Sequence, residues 1–375
     1  MRLTLSSLLL TAGLAIGCGS AAQLSIPQTT GPAPVLPAPK QSLIPTINVV
    51  TAKPWVANAA PTAVNGTTVT ALARDLDHPR WLHVLPNGDV LVAETNAPER
   101  PEHGKGFKGW LFGRYQKKAG GAVPSANRIT LLRDTNGDGV ADVRSAFLSG
   151  LNSPFGMALV GDTLYIANTD AVVRVPYMTG QTQIMQAPVK VADLPTGALN
   201  HHWTKSLIAS PDGTRLYVGV GSNSNVAEHG LDQEEGRAAV WEIDTKTGAS
   251  RVFASGLRNP VGMAWVPATG ALWVAVNERD ELGGDLVPDY MTSVREGGFY
   301  GWPYSYFGAH LDRVSTLSIR IWLPRRSNRT TRSVRIRHRS ASPTRTRRGC
   351  HLSSSTACSS ASTARGIANR SADTR

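Results

Sequence analysis

Cysteine is nearly missing from this 375-residue chain, and its three copies, Cys18, Cys350 and Cys358, lie near the ends. The long stretch between them therefore has no internal disulfide, and with no CxxC pair and no Cys/His spacing it carries no zinc-site pattern. Apolar runs are short as well. Leu8–Ile16 is about half the length that a membrane-spanning helix needs. The glycine-rich run Gly104–Gly121 lacks the phosphate-loop pattern and is expected to be a surface loop. Lysine is absent from Leu311–Arg375, which holds 15 Arg and only Asp312 and Asp373 as acids. The net charge of +12, from 39 Lys+Arg against 27 Asp+Glu, thus belongs to that tail; the rest has 24 basic and 25 acidic residues. A nucleic-acid partner inferred from overall charge loses its support, and none is expected.

What is present divides into four parts. Residues 1–18 read as an export signal, with Arg2 before the apolar stretch and small residues after it. Ala15-Ile16-Gly17-Cys18 resembles the lipobox of bacterial lipoproteins, which implies lipidation of Cys18 and a periplasmic or cell-envelope location, with that lipid as the only membrane attachment. Ordinary cleavage after Ala22 is the other reading. Residues 19–62, rich in Pro, Ala and Thr, are expected to bury little and to act as an extended linker.

Residues 63–310 repeat. Asn87–Ala93, Gly161–Ala167, Asp212–Val218 and Thr269–Ala275 are each a Gly-containing turn running into an alternating apolar strand. From Leu91 to Tyr165, Tyr217 and Trp273 the spacings are 74, 52 and 56 residues. The long first one contains the insertion Ala97–Val123. Lead-in strands are visible at His78–Trp81, Ser153–Ala158 and Asn259–Ala264, and no long amphipathic helix interrupts the pattern. A period near fifty residues with several short strands in each predicts an all-β fold, a β-propeller with about four blades present. Residues 311–375 lose the alternation and hold 13 Ser and 8 Thr beside the arginines. A disordered, solvated basic tail is one expectation. A shifted reading frame in GC-rich coding sequence is the other, and the wholesale use of Arg over Lys favours it.

The chemistry-bearing residues concentrate in Asn200–Pro260, which opens on Asn200-His201-His202-Trp203-Thr204 and closes on Gly256-Leu257-Arg258-Asn259-Pro260. A potential base and a fixed cation lie at strand ends one repeat apart. His201 and His202 are expected to alternate faces of a strand, so only one faces a site. A hairpin is expected at Asp244–Gly248.

These segments, with Ser210–Gly213, Asn277–Asp280 and Glu296–Pro303, resemble the sorbosone/glucose dehydrogenase family of soluble, pyrroloquinoline-quinone-dependent six-bladed propellers, over about Leu72–His310. The resemblance implies an oxidoreductase acting on an aldose or sugar aldehyde, with hydride passing to the quinone. His202 matches the family's general base. Arg258 and Asn259 match the residues that contact the quinone, and Arg258 would stabilise the charge growing on its oxygens. Calcium is the second implied cofactor, in a loop where Glu278, Asp280 and Asp285 supply hard oxygen ligands. The family's further basic residues come from later blades, which this sequence does not match. A calcium-dependent propeller hydrolase of the lactonase type and an inactive truncated propeller are the alternatives. Asp134–Gly139 fits the first half of an EF-hand-like loop, but position twelve is Ser145, and a plain Asn-Gly/Asp-Gly turn is an equal reading.

Overall fold

Alternation of apolar residues buries both faces of a strand only when sheets flank it on each side, and the blades of a propeller meet that condition. The computed structural model describes residues 22–40, 51–53, 56, 59–98, 106–121, 123–197, 199–308 and 310–312. The signal and its Cys18, most of the tail, and Cys350 and Cys358 lie outside them.

The first blade is an antiparallel sheet of β1 (Pro79–Val84), β2 (Val90–Glu94), β3 (Arg128–Arg133) and β4 (Val143–Leu148). The second has β5 (Met157–Val160), β6 (Thr163–Ala167), β7 (Ala171–Pro176) and β8 (Val189–Asp193). The third has β9 (Lys205–Ala209), β10 (Arg215–Val220), β11 (Ala239–Asp244) and β12 (Ser250–Ser255), and the fourth has β13 (Pro260–Trp265), β14 (Leu272–Val276) and β15 (Tyr290–Val294). Beyond β15 the chain returns to the third blade, where β16 (Gly298–Phe299) adds to β12 in parallel. Each of the four repeats read from the sequence is the second strand of a blade. The Asp244–Gly248 turn joins β11 to β12 as expected.

The period-two pattern decides the packing. Leu91, Ala93, Ile129 and Leu131 of the first blade meet Leu164, Ile166, Val173 and Val175 of the second. The other face of the second blade, with Tyr165, Ala167 and Val172, meets Leu216, Val218 and Val220. Tyr217, Val240 and Ala254 then turn to Leu272, Val274 and Val276. Most of these side chains are fully buried, and each Leu, Ile or Val contributes about 1.5–3 kcal/mol by leaving water.

Several expectations are corrected. The insertion between β2 and β3 is not all loop, since α2 spans Gly106–Lys118 after the single turn α1 (Ile26–Thr29). Apolar and basic residues mix around α2, so it lacks the apolar stripe that sequence reading looks for. His201 and His202 are not on a strand; they lie in the irregular segment before β9. The folded body also runs past His310: Leu311 pairs with Ser305, and Asp312, 8 % exposed, forms a buried ion pair with Arg279 at 2.5 Å.

The linker expectation fails over 22–40. Asp285 accepts the N–H groups of Gln23 (2.8 Å) and Leu24 (3.2 Å), the Lys40 N–H donates to Leu282 O (2.9 Å), and Leu36 packs on Leu282, Leu286, Val287 and Tyr306. Prolines and alanines without periodicity look like spacer in a sequence, yet an irregular segment docks wherever a carboxylate and an apolar patch receive it. Asp285→Ala is expected to lower stability by only about 1 kcal/mol, because these bonds are partly solvated. Limited proteolysis checks it, with faster cleavage within residues 22–40 as the expected outcome.

Candidate active site

In an antiparallel pair the start of the first strand lies beside the end of the second. Lys205 pairs with Val220, and Pro260 with Val276. The segments just before β9 and β13 and just after β10 and β14 therefore gather at one end of the propeller. This brings together His202, Gly221-Ser222, Arg258-Asn259 and Asn277-Glu278. The joins are hydrogen-bonded: Ser222 N–H donates to Arg258 O at 2.7 Å, and Asn277 N–H to Asn259 O at 3.0 Å.

The His202 ring is oriented through its Nδ1, 2.7 Å from Ser222 O. A carbonyl only accepts, so Nδ1 carries the hydrogen and Nε2 keeps a lone pair. Ser222 Oγ, 3.2 Å from the same nitrogen, gives its own hydrogen to Ser224 O. Burial, then the positive charge of Arg258, hold the His202 pKa down to about 3, with Arg237 and His201 adding to the effect and the Ser222 bond opposing it. The imidazole is thus neutral at ordinary pH. Gly221 makes the close approach possible. A Cβ there would overlap Asn259 Oδ1 and fall 2.5 Å from the Cβ of His202.

Arg258, 5 % exposed, has four of its five N–H groups engaged: Nε with Asn225 O, Nη1 with Glu278 O, and Nη2 with Asn225 Oδ1 and Asp280 Oδ2. The Asp280 side chain is 78 % exposed, so this ion pair is weak and screened. Arg237 is equally buried and points its guanidinium at carbonyls of the 195–202 segment, the Asn200 side chain and Gly221 O. Among nearby acids, Glu278 is buried and its carboxyl is pushed up to about 7. Two buried guanidiniums thus flank a neutral imidazole; both are largely engaged by protein acceptors, with the exposed Asp280 as the one carboxylate on Arg258, and their field favours a negatively charged ligand.

The three proposed calcium ligands are not brought together. Glu278 is buried beside Arg279, Asp280 pairs with Arg258, and Asp285 holds the N-terminal segment. Among the described residues no three His, Cys, Asp or Glu side chains gather as a metal-holding group. The Asp134–Gly139 segment is a self-satisfied turn between β3 and β4, its Asp134 carboxylate accepting the N–H groups of Gly137 and Gly139. Sequence reading missed Ser222 and Arg237. The glycines at 219 and 221 at a strand end were the available signal for a close approach; nothing in the sequence marks Arg237.

A family model matches from the second half of the first blade through the fourth. Residues 125–294 match the TrAA12-like family model. Among solved structures the chain is similar to the family AA12 carbohydrate-active enzyme of Trichoderma reesei in its calcium structure, at 19 % identity and a TM-score of 0.50, covering 71 % of this chain and 66 % of that one. It is also similar to the pyrroloquinoline-quinone domain of pyranose dehydrogenase from Coprinopsis cinerea, at 17 % identity, a TM-score of 0.46, and 63 % and 55 % coverage. A third is the quinone-bound aldose sugar dehydrogenase of Streptomyces coelicolor, at 20 % identity, a TM-score of 0.43, and 67 % and 72 % coverage. A curated relative, an uncharacterized protein of Borreliella burgdorferi, is 25 % identical over 168 residues, or 42 % of each chain. At 19 % identity and a TM-score of 0.50 the likeness to the Trichoderma enzyme speaks for the fold alone. The chain spans 42 % of the curated relative and 55 % of the Coprinopsis domain.

Proposed function

We propose that this chain is the propeller of an exported oxidoreductase that oxidises an aldose or a sugar aldehyde such as sorbosone, with pyrroloquinoline quinone as hydride acceptor. One observation carries the reading: a neutral imidazole with Nδ1 pinned and Nε2 open, beside buried arginines, in segments that match the family motif. When bound, the quinone supplies the electron sink for the hydride leaving the substrate carbon. His202 Nε2 takes the proton of the substrate hydroxyl, and the Nδ1–H bond to Ser222 O strengthens as the ring becomes charged. Arg258 and Arg237 supply fixed positive charge, and Arg258 and Asn259 would hold the quinone. Calcium, implied by the resemblance, finds no three-carboxylate cradle in Glu278, Asp280 and Asp285. The proposal includes export to the periplasm or cell envelope and lipid attachment at Cys18.

The low proton affinity of His202 has a direct consequence. An anion set against Arg258 and Arg237 offsets their field and raises the strength of the base toward the working pH. In the ligand-free chain, imidazole NMR signals of His202 are expected to stay constant between about pH 5 and 8, where an ordinary histidine titrates. Added quinone is expected to move the titration upward.

The deciding assay is dye reduction with glucose or sorbosone, with and without added quinone and calcium ions, run beside lactone hydrolysis. Quinone-dependent dye reduction supports the proposal; hydrolysis alone overturns it. A lactonase-type reaction needs carboxylates and an Asn around one ion, and no observation favours that arrangement here.

A further inference from the structure

We infer that Lys205, together with Arg237 and Thr169, is a positioning device that fixes the backbone carrying His202 and thereby the direction of its imidazole. This rests on the reading of His202 as the base. Lys205 begins β9, is 0 % exposed, and forms no ion pair among the described residues. Its Nζ donates to two successive carbonyls, His202 O at 3.3 Å and Trp203 O at 3.1 Å. Each of those oxygens has a second donor. Arg237 Nη2 reaches His202 O at 3.1 Å, and Thr169 Oγ1 reaches Trp203 O at 3.0 Å. The circuit closes through Asn200, whose Nδ2 donates to Thr169 Oγ1 (2.8 Å) and whose Oδ1 accepts from Arg237 Nη1 (3.2 Å).

The geometry has a purpose that core packing alone does not require. Burial, with the Arg237 charge adding to it and Asp170 opposing, pushes the Lys205 amine well below its usual pKa. A buried amine hydrogen-bonded only to carbonyls is an expensive way to fill space, and an apolar side chain of the same volume would serve packing better. Residues 200–203 have no sheet ladder to hold them. The carbonyls of His202 and Trp203 are instead each held by two donors, from the second blade (Thr169) and the third (Lys205, Arg237). With the backbone fixed at His202 O and the ring fixed at Ser222 O, Nε2 is left one direction to face. Lys205 does not touch substrate in this arrangement; it acts through His202.

The test uses the full chain with Lys205→Met and Thr169→Val, both close to isosteric. In the unsubstituted chain, imidazole ¹⁵N signals are expected to show a single Nδ1–H tautomer at His202. In Lys205→Met a mixture of tautomers is expected, with kcat down at least about tenfold and KM for the sugar changed by less than about threefold. An unchanged tautomer and unchanged kcat overturn the inference. Should Lys205→Met fail to fold, Thr169→Val decides the matter by the same signals and the same outcomes. If the unsubstituted chain shows no quinone-dependent turnover but the variants still shift the tautomer, the functional reading fails and the positioning role stands.

Discussion

A single methyl group added at Gly221 is expected to weaken quinone binding by on the order of a hundredfold. Its Cβ would overlap Asn259 Oδ1 and, at 2.5 Å, the Cβ of His202, which sits at the root of its side chain and moves only with the backbone. Asn259 is 7 % exposed and tied to Asn277 through its carbonyl, and His202 is held by Ser222. The overlap is therefore relieved by moving backbone. Overpacking of this kind destabilises by about 1–3 kcal/mol. A shift of about 1 Å in groups that must meet a ligand costs on the order of a hundredfold. Titration calorimetry with the quinone is the check, with thermal melting to separate the two effects. A Gly221→Ala chain that binds within about threefold of the unsubstituted one would place the site elsewhere.

His202→Asn is expected to lower kcat by about a thousandfold while the chain stays folded, within the range of about 10²–10⁴ for loss of a general base. The amide of Asn retains a donor for Ser222 O, so the local hydrogen bonding survives and the basic nitrogen does not. Melting temperature within a few degrees of the unsubstituted chain, combined with lost dye reduction, is the expected pair of results. Retained turnover would remove His202 from the mechanism and leave the motif match as a matter of fold alone.

The blades were legible because their signal is local. A glycine turn followed by alternating apolar residues, as at Gly161–Ala167, specifies both a hairpin and which side chains face each neighbouring sheet. The grouping of His202, Arg258 and Asn259 was legible only through family motifs, since nothing local says that the start of β9 and the start of β13 share an end. Ser222, Arg237 and the role of Lys205 stayed hidden for a related reason. They act by donating to or offering backbone atoms across blades, and such pairing leaves no trace in residue spacing. The calcium loop was implied by the family resemblance alone, and the carboxylates of Glu278, Asp280 and Asp285 turn toward three separate partners. α2 escaped notice because its aromatic and basic residues alternate without a stripe.

The short parallel strand β16 bears on how this chain behaves at high concentration. An outer strand with a free row of amides and carbonyls is a template for intermolecular sheet growth. Along β12 the chain covers half of that row itself: Gly297 N–H takes Phe253 O, Tyr300 N–H takes Ser255 O, and β16 pairs with Ala254 and Ser255. The other half carries Arg251, an exposed cation held over the edge by Glu242 and Glu296. Charge at one end and self-pairing at the other leave a second molecule little to add to, so the outer edge of the third blade resists amyloid-like stacking.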